Sequence, residues 1–467
     1  MSEESIEELV LSRIKPLREE YLKIMRVREK IKKILEEHLR NEGLIFKIEV
    51  VGSIAKDTWI SGEYDLDLFV LFPEEYGEAW VKSEAFKKIK KILSEAGFRV
   101  EEAYAEHPYV RLSIEDVQVD VVPALMLDNP QKAKTVVDRT PFHTRYISSK
   151  ITQTQRDHVR LLKKFMKNIG VYGAEIKVEG FSGYLCELLI LYYSSFNATL
   201  NGASKWKPFE TVIDLEGYYD DPLKAIKKFN APLIVVDPVD RNRNVAAAVS
   251  LKSMSTFIAA SKYYLRSPRT RYFFPPKRRV SKEKILGLLK EKNRNIIALR
   301  TLCPQVPPDT LWGELKHSLK GLYSLLKRFE FKVLDMKVVT DEKENVIFLF
   351  ELETLTLPPL KKHLGPPVYL EPHSTIFLEK HMADSESVGP WIDGDRWVVL
   401  RPRKYVDAKR LLKKNYMNAS ISKHVLEQLA KFLEVKEGEE VIELFETLGS
   451  LEELAEFLEK KPAWLYL

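Results

Sequence analysis

The chain has little cysteine: Cys186 and Cys303 are the two in 467 residues. They lie far apart, and neither has a second cysteine or a histidine at metal-ligand spacing, so no disulfide framework or zinc site is legible. Long apolar runs are also lacking. The most apolar stretch, LCELLILYYSSF, is too short to span a bilayer and contains Glu187. The N-terminus, MSEESIEELV, is acidic and amphipathic rather than basic and then apolar, so it does not read as a signal peptide. Together these absences predict a cytoplasmic protein with no membrane partner. Glutamine is scarce, at six residues, while Lys, Arg and Glu abound, a balance that leans towards thermophilic proteins. Several reactive motifs are missing as well. Without GxxxxGK[ST] a P-loop NTPase is disfavoured, and no kinase-style glycine loop, HExxH or GxSxG occurs. Charge of one sign does not dominate either. With 74 basic against 68 acidic residues the net charge is +6, compatible with a polyanionic partner but mostly a mixed, solvated surface.

What is present is ordinary globular material, 45% hydrophobic and 30% charged, long enough for about three domains. From Ser5 to about Glu42 the pattern reads as helix, with Ile24, Val27, Ile31 and Ile34 on one stripe and a break near Pro16. IFKIEVV and DLDLFVLF read as strands, SEAFKKIKKILSEAGF as a helix closed by Gly97, and YVRLSI and VQVDVVP as two further strands. This predicts a small α/β domain with a mixed sheet, closing near Arg139. From about His158 to Tyr264 the pattern is predominantly helical. SPRTRYFFPPKRRV then interrupts it and reads as a domain junction. NIIALR, a helix over LWGELKHSLKGLYSLLKRF, FKVLDMKVV and NVIFLFELE follow in β-α-β-β order, which predicts a second α/β sandwich. LPPLKKHLGPPVYL opens an insertion into it, and the C-terminus from about Ser422 reads as helices.

The sharpest chemical constellation is Gly52-Ser53, then Asp65 and Asp67, then Asp120. Strand side chains alternate, so Asp65 and Asp67 project to one face and Leu66 and Leu68 to the other. Two adjacent carboxylates repel each other and serve no packing purpose, but a divalent cation between them reverses that. Asp120 is the lone acid in the valine-rich VQVDVVP, and a third carboxylate beside the first two would complete a two-metal phosphoryl-transfer site. Gly52-Ser53 ends a strand before a short helical segment. A glycine there lets backbone approach a phosphate, and N–H groups with the Ser53 hydroxyl can cradle a triphosphate, with Lys56 adding charge one turn on. An acid-x-acid pair by itself arises about ten times by chance in so acidic a chain. The combination, with a second acid-bearing strand after a helix, is what carries the signal.

These residues resemble a known family. VGSIAKDTWISGEYDLDLFVLFP is similar to the signature of the polymerase-beta nucleotidyltransferase superfamily. AEHPYV, VDVVPA, VDRTPFH, VRLLKKFMKNIGVYGAEIKVEGFSGYLCELLI and DPVDRNRNVAAAVSL together resemble the archaeal class I CCA-adding enzymes, over about residues 45–265. The resemblance implies template-independent addition of CCA to the 3′ end of tRNA from CTP and ATP, with Mg²⁺ as cofactor and pyrophosphate as leaving group. It implies an α/β multidomain fold: a catalytic nucleotidyltransferase head over 1–142, a helical, nucleotide-binding neck over 143–266, a body over 267–355 and 421–467, and a tRNA-binding tail inserted at 356–420. By the same resemblance Asp65 and Asp67 hold the metals, and Asp120 shares the one that activates the 3′-hydroxyl. The family sometimes has Glu where Asp65 stands, a change a metal tolerates. Gly52, Ser53 and Lys56 match triphosphate contacts. Some relatives carry Arg at Lys56, and an ammonium lacks the bidentate fork. His143, Lys163 and Tyr172 match further nucleotide contacts, Thr140 a ribose contact, and Arg243 the arginine that helps read the base edge.

For RNA, SPRTRYFFPPKRRVSKEK interleaves basic residues with Tyr272, Phe273 and Phe274, a phosphate-plus-stacking mixture. RWVVLRPRKYVDAKRLLKKN is strongly basic too. In the family, body and tail hold tRNA by shape and backbone rather than by sequence. The family contains dimers, so a homodimer is the expectation. Two alternatives stay open from the sequence: an RNA nucleotidyltransferase of the poly(A) polymerase kind, and a non-catalytic RNA-binding protein.

Overall fold

The computed structural model describes residues 5–104, 108–276 and 280–465. The first three residues of AEHPYV and the KRR of the basic-aromatic stretch lie outside them. The chain divides into two compact units, Met1–Pro276 and Lys277–Leu467. Among the described residues no helix is long and apolar enough to cross a membrane.

The first unit begins with a helix, Ile6–Ile14, capped reciprocally by Ser5 and Glu8. Pro16 ends that run, and a longer helix, Arg18–Asn41, buries Ile24, Val27, Ile31, Leu35 and Leu39 at three- and four-residue spacing. Five strands follow: β1 (Lys47–Val51), β2 (Asp65–Pro73), β3 (Val100–Tyr104), β4 (Pro108–Ile114) and β5 (Val117–Met126). They form one sheet in the order β1-β2-β5-β4-β3. Only β2 and β5 run parallel, so the sheet is mixed as expected. Leu66, Leu68, Val70 and Phe72 of β2 and Val119 and Val121 of β5 pack with the apolar stripes of helices Arg18–Asn41 and Phe86–Glu95. That face is therefore sealed. The other face carries Asp65, Asp67 and Asp120, and further along Phe69, Leu71, Val122 and Ala124 with Val51. Alternation along β2 and β5 thus delivers the acids to the side away from the main core.

The helix Val136–Lys150, capped by Thr135 and Asp138, leads into Gln153–Asn168, Gly183–Tyr193, Phe196–Ala203 and Leu251–Arg266. The region is less helical than its sequence suggests. A three-stranded sheet, ordered β6-β7-β8, interrupts it with β6 (Val212–Asp214), β7 (Ile234–Asp237) and β8 (Asp240–Asn244). β7 is fully buried, and a four-residue apolar run between Pro232 and Pro238 has no period from which to separate it from helix. The stacking role expected of Tyr272 and Phe273 is overturned. Both are buried with Phe165, Phe196 and Tyr264 in one aromatic cluster. Phe274 alone of the three stays half-exposed, with Arg13 and Lys164 over its ring.

The second unit holds β9 (Asn295–Leu302), β10 (Val333–Thr340), β11 (Asn345–Leu352) and, from the far end of the chain, β15 (Glu434–Glu437), in the order β10-β11-β9-β15. The sequence pattern, helical from Ser422 on, misses β15, because EVKE is a short edge strand with no apolar alternation to announce it. Helix Pro308–Arg328 covers one face, and helices Lys282–Glu291, Val441–Leu448 and Leu451–Glu459 the other. Between β11 and the returning elements, β12 (Leu360–Pro367), β13 (Val388–Asp393) and β14 (Arg396–Pro402) form a separate sheet with helix His373–Met382.

One buried cation ties the first unit together. Arg160, fully buried, donates to the carbonyls of Trp59 (2.9 Å) and Asp57 (2.7 Å) and pairs with the carboxylates of Asp57 and Asp157. Tyr21 donates to the same Asp57 from helix Arg18–Asn41. Replacing Arg160 with Met leaves the Trp59 and Asp57 carbonyls without this donor, and Asp57 and Asp157 with Tyr21 and Lys15 still close by. A loss of about 3–5 kcal/mol is expected, read as a lower midpoint in denaturant unfolding.

Candidate active site

Asp65, Asp67 and Asp120 are brought together by strand register. Asp67 lies directly opposite Asp120 on the parallel neighbour β5, and Asp65 two residues back along the same face. Asp65 is exposed and Asp67 half-buried. Burial, together with the charges of Asp120 and Asp65, pushes the Asp67 carboxyl up to about 7. Burial, Asp120 and Glu63 raise Asp65 also. Across the sheet, β4 sets Arg111 opposite Asp120. Arg111 donates to both carboxylate oxygens at 2.8 Å and to the Tyr109 hydroxyl at 2.9 Å.

These residues suit a divalent cation in charge and in donor type. Carboxylate oxygens are hard ligands, and the burial and repulsion that lift the Asp67 carboxyl are what a bound cation would offset. Among the described residues no group of three or more His, Cys, Asp or Glu side chains is already arranged as a metal-ligand set.

Gly52 joins this face to the neighbouring cleft. It has φ +73°, and a Cβ there would come within 2.0 Å of the Asp67 carboxylate. Glycine is required on both counts. The cleft encloses about 1150 Å³ and is lined by Gly52, Ser53, Lys56, Thr140, His143, Lys163, Tyr172 and Arg243. Every candidate nucleotide contact expected from sequence thus lines one cavity. The three acids are not on its wall but adjoin it through Gly52.

The cations of the cleft are held by buried acids that the sequence reading did not select. Glu187 accepts from Lys56 (2.5 Å) and Thr58 (2.6 Å), with Lys163 at 3.7 Å. Asp237, on β7, accepts from Arg243 (2.8 Å) and the Val239 N–H (3.1 Å), and meets His143 Nε2 at 2.9 Å. Tyr184 stacks on His143 with ring centroids 4.1 Å apart and donates to Asp237 at 3.3 Å. Burial holds the His143 imidazolium below its usual range, against the pull of Asp237. Gly183 lets the Tyr172 hydroxyl and the end of Lys163 approach the helix: its absent Cβ would lie 3.0 Å from one and 3.6 Å from the other. The Thr140 hydroxyl donates back to the Val136 carbonyl. A single acid in an otherwise apolar helix was the available signal for Glu187, and an acid closing an apolar run was the signal for Asp237. Arg111 had no comparable signal, since its role depends on cross-strand pairing.

Two measurements check this geometry. Gly52→Ala is expected to lose roughly a hundredfold in turnover, because it displaces Asp67 by about an ångström. Its thermal midpoint should fall only slightly, as one left-handed alanine costs about 1–2 kcal/mol. In metal-free protein, Asp67→Asn should raise the thermal midpoint at pH 8 and have little effect near pH 4. The raised carboxyl of Asp67 stabilises the fold while it stays protonated, and that contribution is lost as pH rises through about 7. An equal effect of the substitution at both pH values would refute the raised carboxyl.

Three family descriptions match consecutive parts of the chain: "Nucleotidyltransferase domain" over residues 28–143, "tRNA nucleotidyltransferase, second domain" over 157–274, and "CCA-adding enzyme, C-terminal domain" over 292–438. The CCA-adding enzyme of Methanothermobacter thermautotrophicus is 37% identical over 458 residues, 98% of this chain and 97% of its own. That of Saccharolobus islandicus is 38% identical over 462 residues, 98% and 100% of the two chains. That of Pyrobaculum islandicum is 39% identical over 400 residues, 86% and 90%. Likeness at this level along nearly the whole length means that the chain belongs to the family of CCA-adding enzymes, the tRNA nucleotidyltransferases.

Proposed function

We propose that the family's reaction, addition of CCA to the 3′ end of tRNA, takes place in this chain where the Asp65, Asp67 and Asp120 face adjoins the cleft behind Gly52. One observation carries the reading: β2 sets Asp67 beside Asp120 on one side and, through its pairing with β1, against Gly52 on the other, and Gly52 lines a cavity that also holds Lys56, Lys163 and Arg243. The enzyme transfers a nucleotidyl group. The tRNA 3′-hydroxyl oxygen bonds to the α-phosphorus of CTP or ATP, and the bond to the departing pyrophosphate breaks.

Nucleotidyl transfer of this kind uses a divalent metal, and Mg²⁺ is the ion we assign, held by Asp65, Asp67 and Asp120. When bound, it supplies positive charge to the attacking and leaving oxygens. Ser53, Lys56 and Lys163 take the triphosphate, Lys56 and Lys163 as ammoniums within reach of phosphate oxygens. His143 and Tyr172 contact the nucleotide, and Thr140 the ribose. Arg243, aimed by Asp237, reads the base edge with its guanidinium fork. Arg111 holds the Asp120 carboxylate by two hydrogen bonds in the free protein.

The proposed division of labour is a head over 1–142, a neck over 143–266, a body over 267–355 and 421–467, and a tail over 356–420. For tRNA we assign body and tail. A second cavity of about 360 Å³ gathers Arg328, Lys361, Arg401, Arg403, Lys404 and Tyr405, a set suited to backbone phosphates, with Glu330 pairing Lys361 and Arg403. A homodimer in the cytoplasm completes the proposal, and sedimentation checks the oligomeric state.

The deciding assay supplies tRNA lacking its CCA end, Mg²⁺ and labelled CTP or ATP, with an Asp65→Ala/Asp67→Ala control. Two cytidines and then one adenosine, lost in the control, are expected. Long adenosine tracts without cytidine would indicate a poly(A) polymerase instead. No transfer with tight tRNA binding would indicate a non-catalytic RNA-binding protein.

A further inference from the structure

The cleft contains a fully buried acid to which the chemistry above gives no part. Glu187 lies in helix Gly183–Tyr193, flanked by Leu185, Cys186, Leu188, Leu189 and Ile190, all buried. It is 0% exposed. A carboxylate in such a place is costly unless paired, and a buried ion pair adds little stability over an apolar residue of the same size. Packing therefore does not explain it.

Its partners do. Lys56 and Lys163, 6% and 3% exposed, both converge on Glu187. Lys163 also donates to the Thr58 carbonyl at 3.0 Å and hydroxyl at 3.2 Å, while the Thr58 hydroxyl donates to Glu187. Two ammoniums share one carboxylate, so the group keeps one net positive charge on the wall of the cleft.

We propose that Glu187 is a positioning residue for nucleotide binding, which fixes the Nζ atoms of Lys56 and Lys163 at the triphosphate end of the cleft before the nucleotide arrives. The inference rests on the reading of those two lysines as triphosphate contacts. Several groups face Lys163: Glu187 and Cys186 from one helix, Lys56 and Thr58 from the segment after Gly52, Glu63 beyond it, and the Tyr172 hydroxyl near Gly183. Lys56 faces the Tyr184 ring at 5.7 Å and feels Asp67 and His143 at longer range. Burial pulls Lys163 below the usual lysine range and Lys56 repels it, while Glu187 is the foremost charge that opposes them. Glu63 cannot replace it, because it is paired with Lys167. Without the Glu187 charge, one ammonium sheds its proton as pH rises, and the site loses hold of the triphosphate.

The test measures the Kd of ATP with Mg²⁺ and no tRNA, from about pH 6 to about pH 9 at constant ionic strength. Alongside the wild type it uses Glu187→Gln, Glu187→Asp, Lys56→Met and Lys163→Met, with thermal midpoints and tRNA affinity recorded for each. Glu187→Gln is expected to lose roughly tenfold more ATP affinity than the wild type across that range, with tRNA affinity unchanged. Glu187→Asp withdraws the charge by one bond, and should weaken ATP binding roughly threefold with no added pH slope. A Glu187→Gln profile parallel to the wild type, whatever its thermal midpoint, would overturn the inference. Should that variant not fold, unchanged ATP binding in Glu187→Asp would overturn it equally. If Lys56→Met and Lys163→Met both bind ATP as the wild type does, the reading of the triphosphate site has failed first.

Discussion

A charge removed from water must find its opposite, and the first unit is organised around that constraint. Glu187 pairs with Lys56 and Lys163, Asp237 holds Arg243 and His143, Arg111 covers Asp120, and Arg160 answers Asp57 and Asp157. Each cation keeps its position because a carboxylate stands where the fold can support it. The exception is the pair Asp65 and Asp67, whose charges reinforce each other instead of cancelling.

These pairs also join parts of the chain that are remote in sequence. Lys56 reaches Glu187, Arg160 reaches Asp57, and His143 reaches Asp237. The helices after Val136 are thereby attached to the segment that follows Gly52, by contacts that are directional as well as strong. Arg160 clasps the stretch Asp57–Trp59, and Thr58 at its centre touches both Glu187 and Lys163. A disturbance in the packing of helix Gln153–Asn168 is thus felt at the cleft.

Much of the site was legible because it is local. Asp65-x-Asp67 obeys the two-residue period of a strand, Gly52-Ser53 sits at a strand end, and the motifs around His143, Lys163, Tyr172 and Arg243 are contiguous strings. The elements that escaped are short or defined by distant partners. β7 and β15 have four residues each, too few for a period to emerge, and each exists because a neighbouring strand accepts it. Tyr272 and Phe273 looked like stacking platforms among arginines, yet the aromatic cluster around Phe165 offers them more apolar area than solvent would.

The sequence by itself determined the acid pair, the glycine turn, the alternation that separates Leu66 and Leu68 from Asp65 and Asp67, and the strings that mark the family. Those features depend on neighbours within a few residues, which the order of amino acids states directly. Only the tertiary structure decided that Asp67 faces Asp120, that Arg111 occupies Asp120, and that Glu187 and Asp237 govern the cations of the cleft. These facts follow from strand register and helix packing between residues from 6 to 131 positions apart. Burial, which turns such proximity into strong pairing, is a property of the folded whole.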